Sequence, residues 1–221
     1  MRLASAAALL LALLGAGRAW GGAIEGEVLL GSTDLAIRDT SKPNPYVGQL
    51  SASARAVAAA TVDTAYGAAW VADPASDPEP SPPPARMDQL GQRFVPRILV
   101  VQAGQTVEFH NSDNVFHNIF SYSPPKRFDL GRYPKGKSRS VRFVKAGAVQ
   151  VYCDIHSDMR ADIIVAPTRL FALIGRSGRF RIENVPAGTH TVKVWLPGSG
   201  ERLATVDVPA KGAAALPPLG P

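Results

Sequence analysis

The chain has 221 residues, which is long enough for one or two small domains with a sizeable core. Hydrophobic residues make up 46% and charged residues 19%, as in an ordinary globular protein, and frequent glycine and proline suit many short strands joined by turns. The formal net charge of +6 comes without an aromatic stacking platform or a nucleic-acid-binding motif, which argues against a nucleic-acid partner.

The first 19 residues predict a secretory signal peptide. A positive charge at Arg2 precedes an apolar run over 6–16 that is too short to span a bilayer, and small residues follow as far as Ala19. Cleavage after Ala19 would leave a periplasmic protein with no transmembrane span in the mature chain. The formal charge would then fall to +4, because Arg2 and Arg18 are removed with the signal.

Residues 20–72 are predicted to contribute strands at 23–30 and 65–72. Between these strands, residues 51–62 are rich in alanine and have helix propensity, but they lack a cap and a clear apolar stripe, so their structure stays open. Residues 73–85 contain six prolines among acidic and small residues, which predicts an extended linker or surface loop.

Residues 86–167 predict a second unit, an antiparallel β-sandwich or flattened barrel without amphipathic helices. Its strands are recognised by alternating apolar residues between turns. They are expected over 94–101, 106–111, 128–133, 140–144, 148–153 and 163–165.

The only cysteine, Cys153, ends one of these strands. Val149, Val151 and Cys153 share one face of a period-two strand, so the sulfur points the same way as the buried valines. His156 and Met159 follow at three-residue steps, and thiolate, imidazole and thioether are ligands that copper favours. These three groups make an incomplete site that needs one more imidazole. The alternative is that Cys153 is an inert core residue, although an unligated thiol is a liability in an oxidising compartment.

His117 is the best candidate for the missing imidazole. A strand ending in Asn111 leads through a short loop to the pair His117-Asn118, and the Cys-x-x-His-x-x-Met segment comes later. This order resembles the cupredoxin family, and the amicyanin and plastocyanin-like blue copper proteins most closely, over roughly residues 94–166.

The resemblance implies a site for one mononuclear copper ion. It implies His117 and His156 as imidazole ligands, Cys153 as the thiolate ligand and Met159 as a weak axial ligand. It also implies that the backbone amide of Asn118 donates to the cysteine sulfur, while the Asn118 side chain ties the two ligand loops together.

Two positions depart from the family pattern. His110 stands where an apolar residue or proline is expected, and Ser157 stands where proline usually follows the ligand histidine. The strand alternation places His110 on the polar face, away from the predicted copper site, so we expect a surface histidine.

The rest of the chain shows further resemblances. From Phe128 to Trp195 it is similar to exported cupredoxin-like proteins labelled methylamine utilisation proteins. Residues 168–210, together with the N-terminal strands, resemble a carboxypeptidase regulatory-like, or transthyretin-like, sandwich. The expected fold class is therefore all-β, with a cupredoxin Greek-key sandwich inserted in, or flanked by, a second small β-sandwich. Residues 211–221 are expected to be a disordered tail.

The function that this pattern favours is single-electron transfer between redox partners, without enzymatic activity. Residues 126–145 carry eight lysines and arginines and only one acid, Asp129, which suits an acidic redox protein such as a cytochrome or dehydrogenase. The alternative for this segment is a solvated sheet face.

Two other functions use the same residues. A periplasmic copper carrier or sequestration protein would need the same ligands, and a structural β-sandwich protein would keep a vestigial site. A copper oxidase or nitrite reductase is disfavoured, because only His110 and His190 remain for a second centre.

Overall fold

The computed structural model describes residues 21–32, 65–73 and 82–220. The predicted signal peptide, the alanine-rich segment and most of the proline-rich linker lie outside these ranges. In the described part of the chain, no helix is long and apolar enough to cross a membrane. The predicted all-β fold class is confirmed.

The sixteen strands of the described residues are short, as the frequent turn residues predicted. They are β1 (Gly22–Glu27), β2 (Gly67–Val71), β3 (Ala85–Gln89), β4 (Phe94–Val95), β5 (Ile98–Gln102), β6 (Thr106–Asn111), β7 (Phe120–Ser121), β8 (Phe128–Asp129), β9 (Ser138–Arg142), β10 (Gly147–Tyr152), β11 (Arg160–Ala166), β12 (Phe171–Ile174), β13 (Arg179–Val185), β14 (Gly188–Leu196), β15 (Gly200–Val208) and β16 (Ala213–Ala215).

Strands β3–β11 form a unit that we call the central sandwich. One sheet has the order β5-β11-β10-β7-β8, and the other has the order β4-β3-β6-β9. Alternate side chains of both sheets, such as Phe109, Val151 and Ile163, meet in one core and are fully buried. The predicted antiparallel arrangement is wrong at two pairs, because β3 runs parallel to β6 and β5 runs parallel to β11. Long intervening stretches of chain allow these parallel pairs.

Two predicted strands of the central sandwich are shorter than expected. The strand expected over 94–101 is divided into β4 and β5, which belong to different sheets, with Pro96 between them. Proline has no N–H to donate to a ladder, so the chain leaves one sheet there and enters the other. The strand expected over 128–133 ends at Asp129, and Tyr133 instead forms a bridge with His117.

Strands from both ends of the chain form a second unit, which we call the flanking sandwich. Its sheets have the orders β13-β1-β16 and β12-β2-β14-β15, so β1 and β2 each lie inside a sheet made otherwise of C-terminal strands. Ile24, Val71, Ile182 and Val194 are among the residues buried in its core. The likeness of this unit to a carboxypeptidase regulatory-like sandwich stays a prediction.

The prediction of a disordered tail over 211–221 is wrong for the described residues up to 220. Strand β16 pairs in parallel with β1, and Leu219 forms a bridge with Val28. Leu216 is 6% exposed in the core of the flanking sandwich, and its N–H donates to Glu25 O at 2.8 Å. Burial of this leucine and the edge pairing with β1 order a segment whose composition shows no strand pattern.

The two sandwiches share a seam of apolar residues. Strand β11 is buried on both faces: Ile163 points into the central core, whereas Ile164 packs with Ile98, Trp70 and Trp195 at the seam. Strand β11 therefore contributes both to the central core and to the seam. A strand that is buried on both faces has a nearly continuous apolar sequence, because neither face meets water.

Asp162 lies on β11 on the seam side and is only 5% exposed. Burial raises the pKa of its carboxyl to about 6, against the attraction of Arg97, a hydrogen bond from Gln150 and the attraction of Arg160. Because the pKa is raised above 3.8, the folded protein is most stable with the carboxyl protonated. This stability is lost as the pH rises from about 4 to above 6.

We expect the substitution Asp162→Asn to stabilise the protein at pH 8 by up to about 3 kcal/mol, since about two pKa units are involved, and to leave stability at pH 4 nearly unchanged. Urea unfolding at the two pH values measures this difference. Asp129→Asn, which removes an exposed carboxylate, is the control. An equal gain at both pH values would contradict the assignment of the effect to ionisation.

We also expect a fragment of residues 168–221 to remain unfolded, because it lacks β1 and β2 from the interior of both sheets. Joining residues 20–72 to this fragment by a short linker should restore a cooperative unfolding transition. Circular dichroism and amide chemical-shift dispersion report the outcome. A fragment of residues 168–221 that folds alone would show that the N-terminal strands are dispensable.

Candidate metal centre

Cys153 follows directly after β10 and continues its alternation. Val149 and Val151 are fully buried, Cys153 is 6% exposed, and Gln150 between them faces solvent, as the sequence predicted. The chain then turns back on itself: the N–H of Met159 donates to His156 O at 3.0 Å, and the N–H of Cys153 donates to Met159 O at 3.2 Å. This tight loop brings His156 back beside the cysteine.

His117 lies in the loop between β6 and β7 and is held by its backbone. It lies six residues after the end of β6 at Asn111, and its side chain is fully buried. The His117 N–H donates to Tyr133 O at 3.3 Å, and the Tyr133 N–H donates to His117 O at 2.9 Å. The Asn111 side-chain amide donates to Val115 O and to Tyr133 O, which fixes the loop that leads to His117.

Three donor atoms from these loops meet at one point. Cys153 Sγ lies 3.9 Å from His117 Nδ1 and 3.9 Å from His156 Nδ1, and the two Nδ1 atoms are 3.1 Å apart. A triangle of these dimensions has a centre about 2.1 Å from every corner, and first-row metal ions bond imidazole nitrogen at about 2.0–2.1 Å and thiolate at about 2.3 Å. Among the described residues, no other group of three or more histidine, cysteine, aspartate or glutamate side chains lies close enough together to hold a metal ion.

The electrostatics of the metal-free cluster favour a thiolate beside an imidazolium. Burial raises the pKa of Cys153, but the His117 side chain and the backbone N–H groups of Asn118, Ile155 and His156 outweigh it and lower the pKa to about 6. Burial lowers the pKa of His117, but hydrogen bonds with Asp113 and Cys153 raise it to about 9. The thiolate is the form of cysteine that binds metal, so the site is prepared for an ion.

The structure places the other two predicted site residues nearby. Met159 is 1% exposed and belongs to the same core cluster as Cys153, and its role as axial ligand stays a prediction. The Asn118 backbone N–H is among the groups that lower the pKa of the Cys153 thiol, and its role beside the copper stays a prediction. The buried Oδ1 of Asn118 has no hydrogen-bond partner among the described residues, so this atom does not tie the loops together.

Sequence reasoning missed Asp113. Its Oδ2 lies 2.9 Å from His117 Nε2, on the side of the ring opposite the donor triangle, and the residue is 5% exposed. The pKa of Asp113 lies below its ordinary value: burial raises it, but the hydrogen bonds from His117, Gln92 and Gly91 have the larger combined effect. A carboxylate four residues before a predicted ligand histidine was the available signal.

The remaining histidines lie outside the cluster. His110 Nδ1 lies 2.9 Å from Ser138 Oγ on the outer face of β6, which confirms the expectation of a histidine away from the site. His190 belongs to the flanking sandwich, where its Nδ1 lies 2.9 Å from Asp73 Oδ2. Neither histidine belongs to a second candidate metal cluster in the described residues.

No protein-family model matches the chain, and no curated protein matches it. Among solved structures, it is similar to a copper-containing nitrite reductase from Thermus scotoductus SA-01, with 25% identity and a TM-score of 0.37 over 42% of this chain and 24% of that one. The chain thus spans about a quarter of the length of that enzyme.

Two smaller proteins are also similar in structure. A purple cupredoxin from Nitrosopumilus maritimus has 23% identity and a TM-score of 0.35, over 37% of this chain and 99% of that one. A Cu(I) mutant of amicyanin has 21% identity and a TM-score of 0.35, over 37% of this chain and 81% of that one. At such low TM-scores, the chemistry of the site rests on its own geometry.

For the metal-free protein, we expect the ultraviolet absorbance of the Cys153 thiolate to titrate with a midpoint near pH 6. The substitution His117→Gln should move this midpoint upward by about one unit or more. The His117 side chain is the main group that offsets the rise in the thiol pKa caused by burial. His110→Gln is the matched control and should leave the midpoint unchanged. A midpoint near 9 in the unsubstituted protein would contradict the ion pair.

Proposed function

We propose that this chain is a type 1 copper protein that binds one mononuclear copper ion and carries single electrons between redox partners in the periplasm. The observation that supports this most directly is the triangle of two imidazole nitrogens and one thiolate, with sides of 3.1, 3.9 and 3.9 Å. Two imidazoles and a thiolate in a trigonal set, with a distant thioether, are the donors of blue-copper electron-transfer sites.

The donor set fits copper in its chemistry as well as in its dimensions. His117, Cys153 and His156 would hold the ion, and Met159 would supply the weak axial sulfur from the core. Copper in such a site changes between Cu(I) and Cu(II), which supplies the one-electron chemistry. Because backbone hydrogen bonds hold both ligand loops, the donors would need little rearrangement in either state, and this suits rapid electron exchange.

The surface beside the site suits contact with a protein partner. His156 is partly exposed, whereas His117 is buried, so the His156 edge is the natural route for electrons. Apolar side chains next to the ligands are exposed: Phe116 is 55% exposed and Ile155 is 40% exposed. Arg132, in the basic segment 126–145, bonds Asp154 at 3.0 Å at this edge.

The basic segment supports an acidic redox partner, such as a cytochrome or dehydrogenase, through electrostatic steering. We propose no enzymatic activity: two of the four histidines belong to the cluster, and the other two lie at separate positions. A copper carrier would use the same ligands, but a nearly buried thiolate is poorly placed to pass its ion to another protein.

The predicted signal peptide is the basis for the periplasmic location.

On addition of Cu(II), we expect one ion to bind per chain, with an intense visible thiolate-to-copper absorption band and reversible one-electron voltammetry. The substitution Cys153→Ala should abolish the band, because the band requires the sulfur ligand. His110→Ala should leave the band in place and serves as the control. The spectrum and the metal content of the purified variants measure the outcome.

Different results would support the alternatives. Retention of Cu(I) without a stable Cu(II) form would favour the carrier. Failure to retain copper in any state would favour a structural sandwich with a vestigial site.

A further inference from the structure

Asp113 is a buried carboxylate that no metal ligand set requires. Its Oδ2 lies 2.9 Å from His117 Nε2, and its side chain is 6% exposed beside a histidine side chain that is 0% exposed. The contact joins residues four apart in the loop after β6, on the far side of the imidazole from Cys153 and His156. The carboxylate therefore contacts the donor triangle only through the ring of His117.

The surroundings of Asp113 hold it in place as an anion. The backbone N–H of Gly91 donates to Oδ1 at 2.6 Å, and the backbone N–H of Gln92 donates to Oδ2 at 2.8 Å. Both donor residues have positive φ, 63° and 55°, so the turn presents two successive N–H groups to the carboxylate. The N–H of Asp113 itself donates to Asn111 Oδ1 at 2.9 Å, which fixes the backbone beneath the side chain. An array of backbone donors of this kind stabilises a charged acceptor.

The contact decides which nitrogen of His117 carries the proton when a metal is bound. A carboxylate with two lone-pair-bearing oxygens accepts and cannot donate, so Nε2 must be the protonated nitrogen and Nδ1 must offer its lone pair. Nδ1 is the atom that faces Cys153 and His156. The carboxylate thus holds both the tautomer and the ring orientation that a metal ion needs.

We infer that Asp113 is a positioning residue for the copper site, which fixes the His117 tautomer and lowers the reduction potential by favouring Cu(II) over Cu(I). This inference rests on the proposed function. With the thiolate and the carboxylate counted together, the buried site is neutral around Cu(II) and carries one net negative charge around Cu(I). A negative charge in a buried site is screened weakly, so the reduced state is the one that Asp113 disfavours.

The test compares Asp113→Asn with a matched loss of charge at the surface. Asparagine keeps the shape and an oxygen acceptor but removes the charge. We expect the ratio of Cu(II) to Cu(I) affinity to fall at least tenfold, which raises the reduction potential by at least about 59 mV for one electron. Asp154→Asn is the control, because Asp154 follows Cys153 directly but is partly exposed and bonds Arg132. Its substitution should shift the potential much less.

Two further measurements give readouts other than the potential. Nitrogen-15 NMR of the unsubstituted Cu(I) protein should show His117 protonated at Nε2, with a proton that exchanges slowly with water. Asp113→Glu restores the charge at a slightly different reach and should return the potential towards that of the unsubstituted protein. The NMR result requires no variant, so it decides the tautomer even if Asp113→Asn fails to fold.

The outcomes separate this inference from the proposed function. If the unsubstituted protein shows no thiolate-to-copper band, the proposed function fails. If the band is present in both proteins but Asp113→Asn leaves the potential unchanged or lowers it, only the inference about the charge is overturned. A His117 ring protonated at Nδ1 in the Cu(I) protein would overturn the positioning role itself.

Discussion

The close approach of two imidazole nitrogens to one buried thiolate is the constraint that the backbone of both ligand loops has to satisfy. Nitrogen lone pairs 3.1 Å apart repel unless a proton or a cation lies between them, so the protein must hold the rings together by other bonds. The reciprocal backbone bonds of His117 and Tyr133 do this on one side, and the closed loop from Cys153 to Met159 does it on the other. Gln89 supports the first side by donating to the Tyr133 hydroxyl at 2.7 Å.

The parts of the site that local pattern determines could be predicted from the sequence. Strand alternation was enough to aim Cys153 inward, and three-residue steps in a tight loop were enough to bring His156 beside it. The bond between Asp113 and the turn at residues 91–92 could not be predicted, because it joins positions 21 and 22 residues apart through a parallel strand pair. The sequence contains no periodic signal for such a contact.

The fold shows the same division between local and distant information. Strands with clear alternation, such as β6 and β10, were predicted nearly to their ends. Strand β3 was missed, because three prolines precede it and one of its inward residues is the polar Gln89. The tail was missed because β16 consists of three alanines, and only its pairing with β1 makes it a strand. Tertiary contacts, rather than propensity, determine such elements.

The apolar seam between the sandwiches contains Trp70 and Trp195, which are 2% and 5% exposed, out of three tryptophans in the chain. Indole emission depends on how dry its surroundings are, so two of the three tryptophans in the chain report on the contact between the units. A red shift on heating or in denaturant would therefore report the moment when water enters between the two units. The fluorescence of Trp70 and Trp195 can therefore be used to follow the contact between the two sandwiches without an added label.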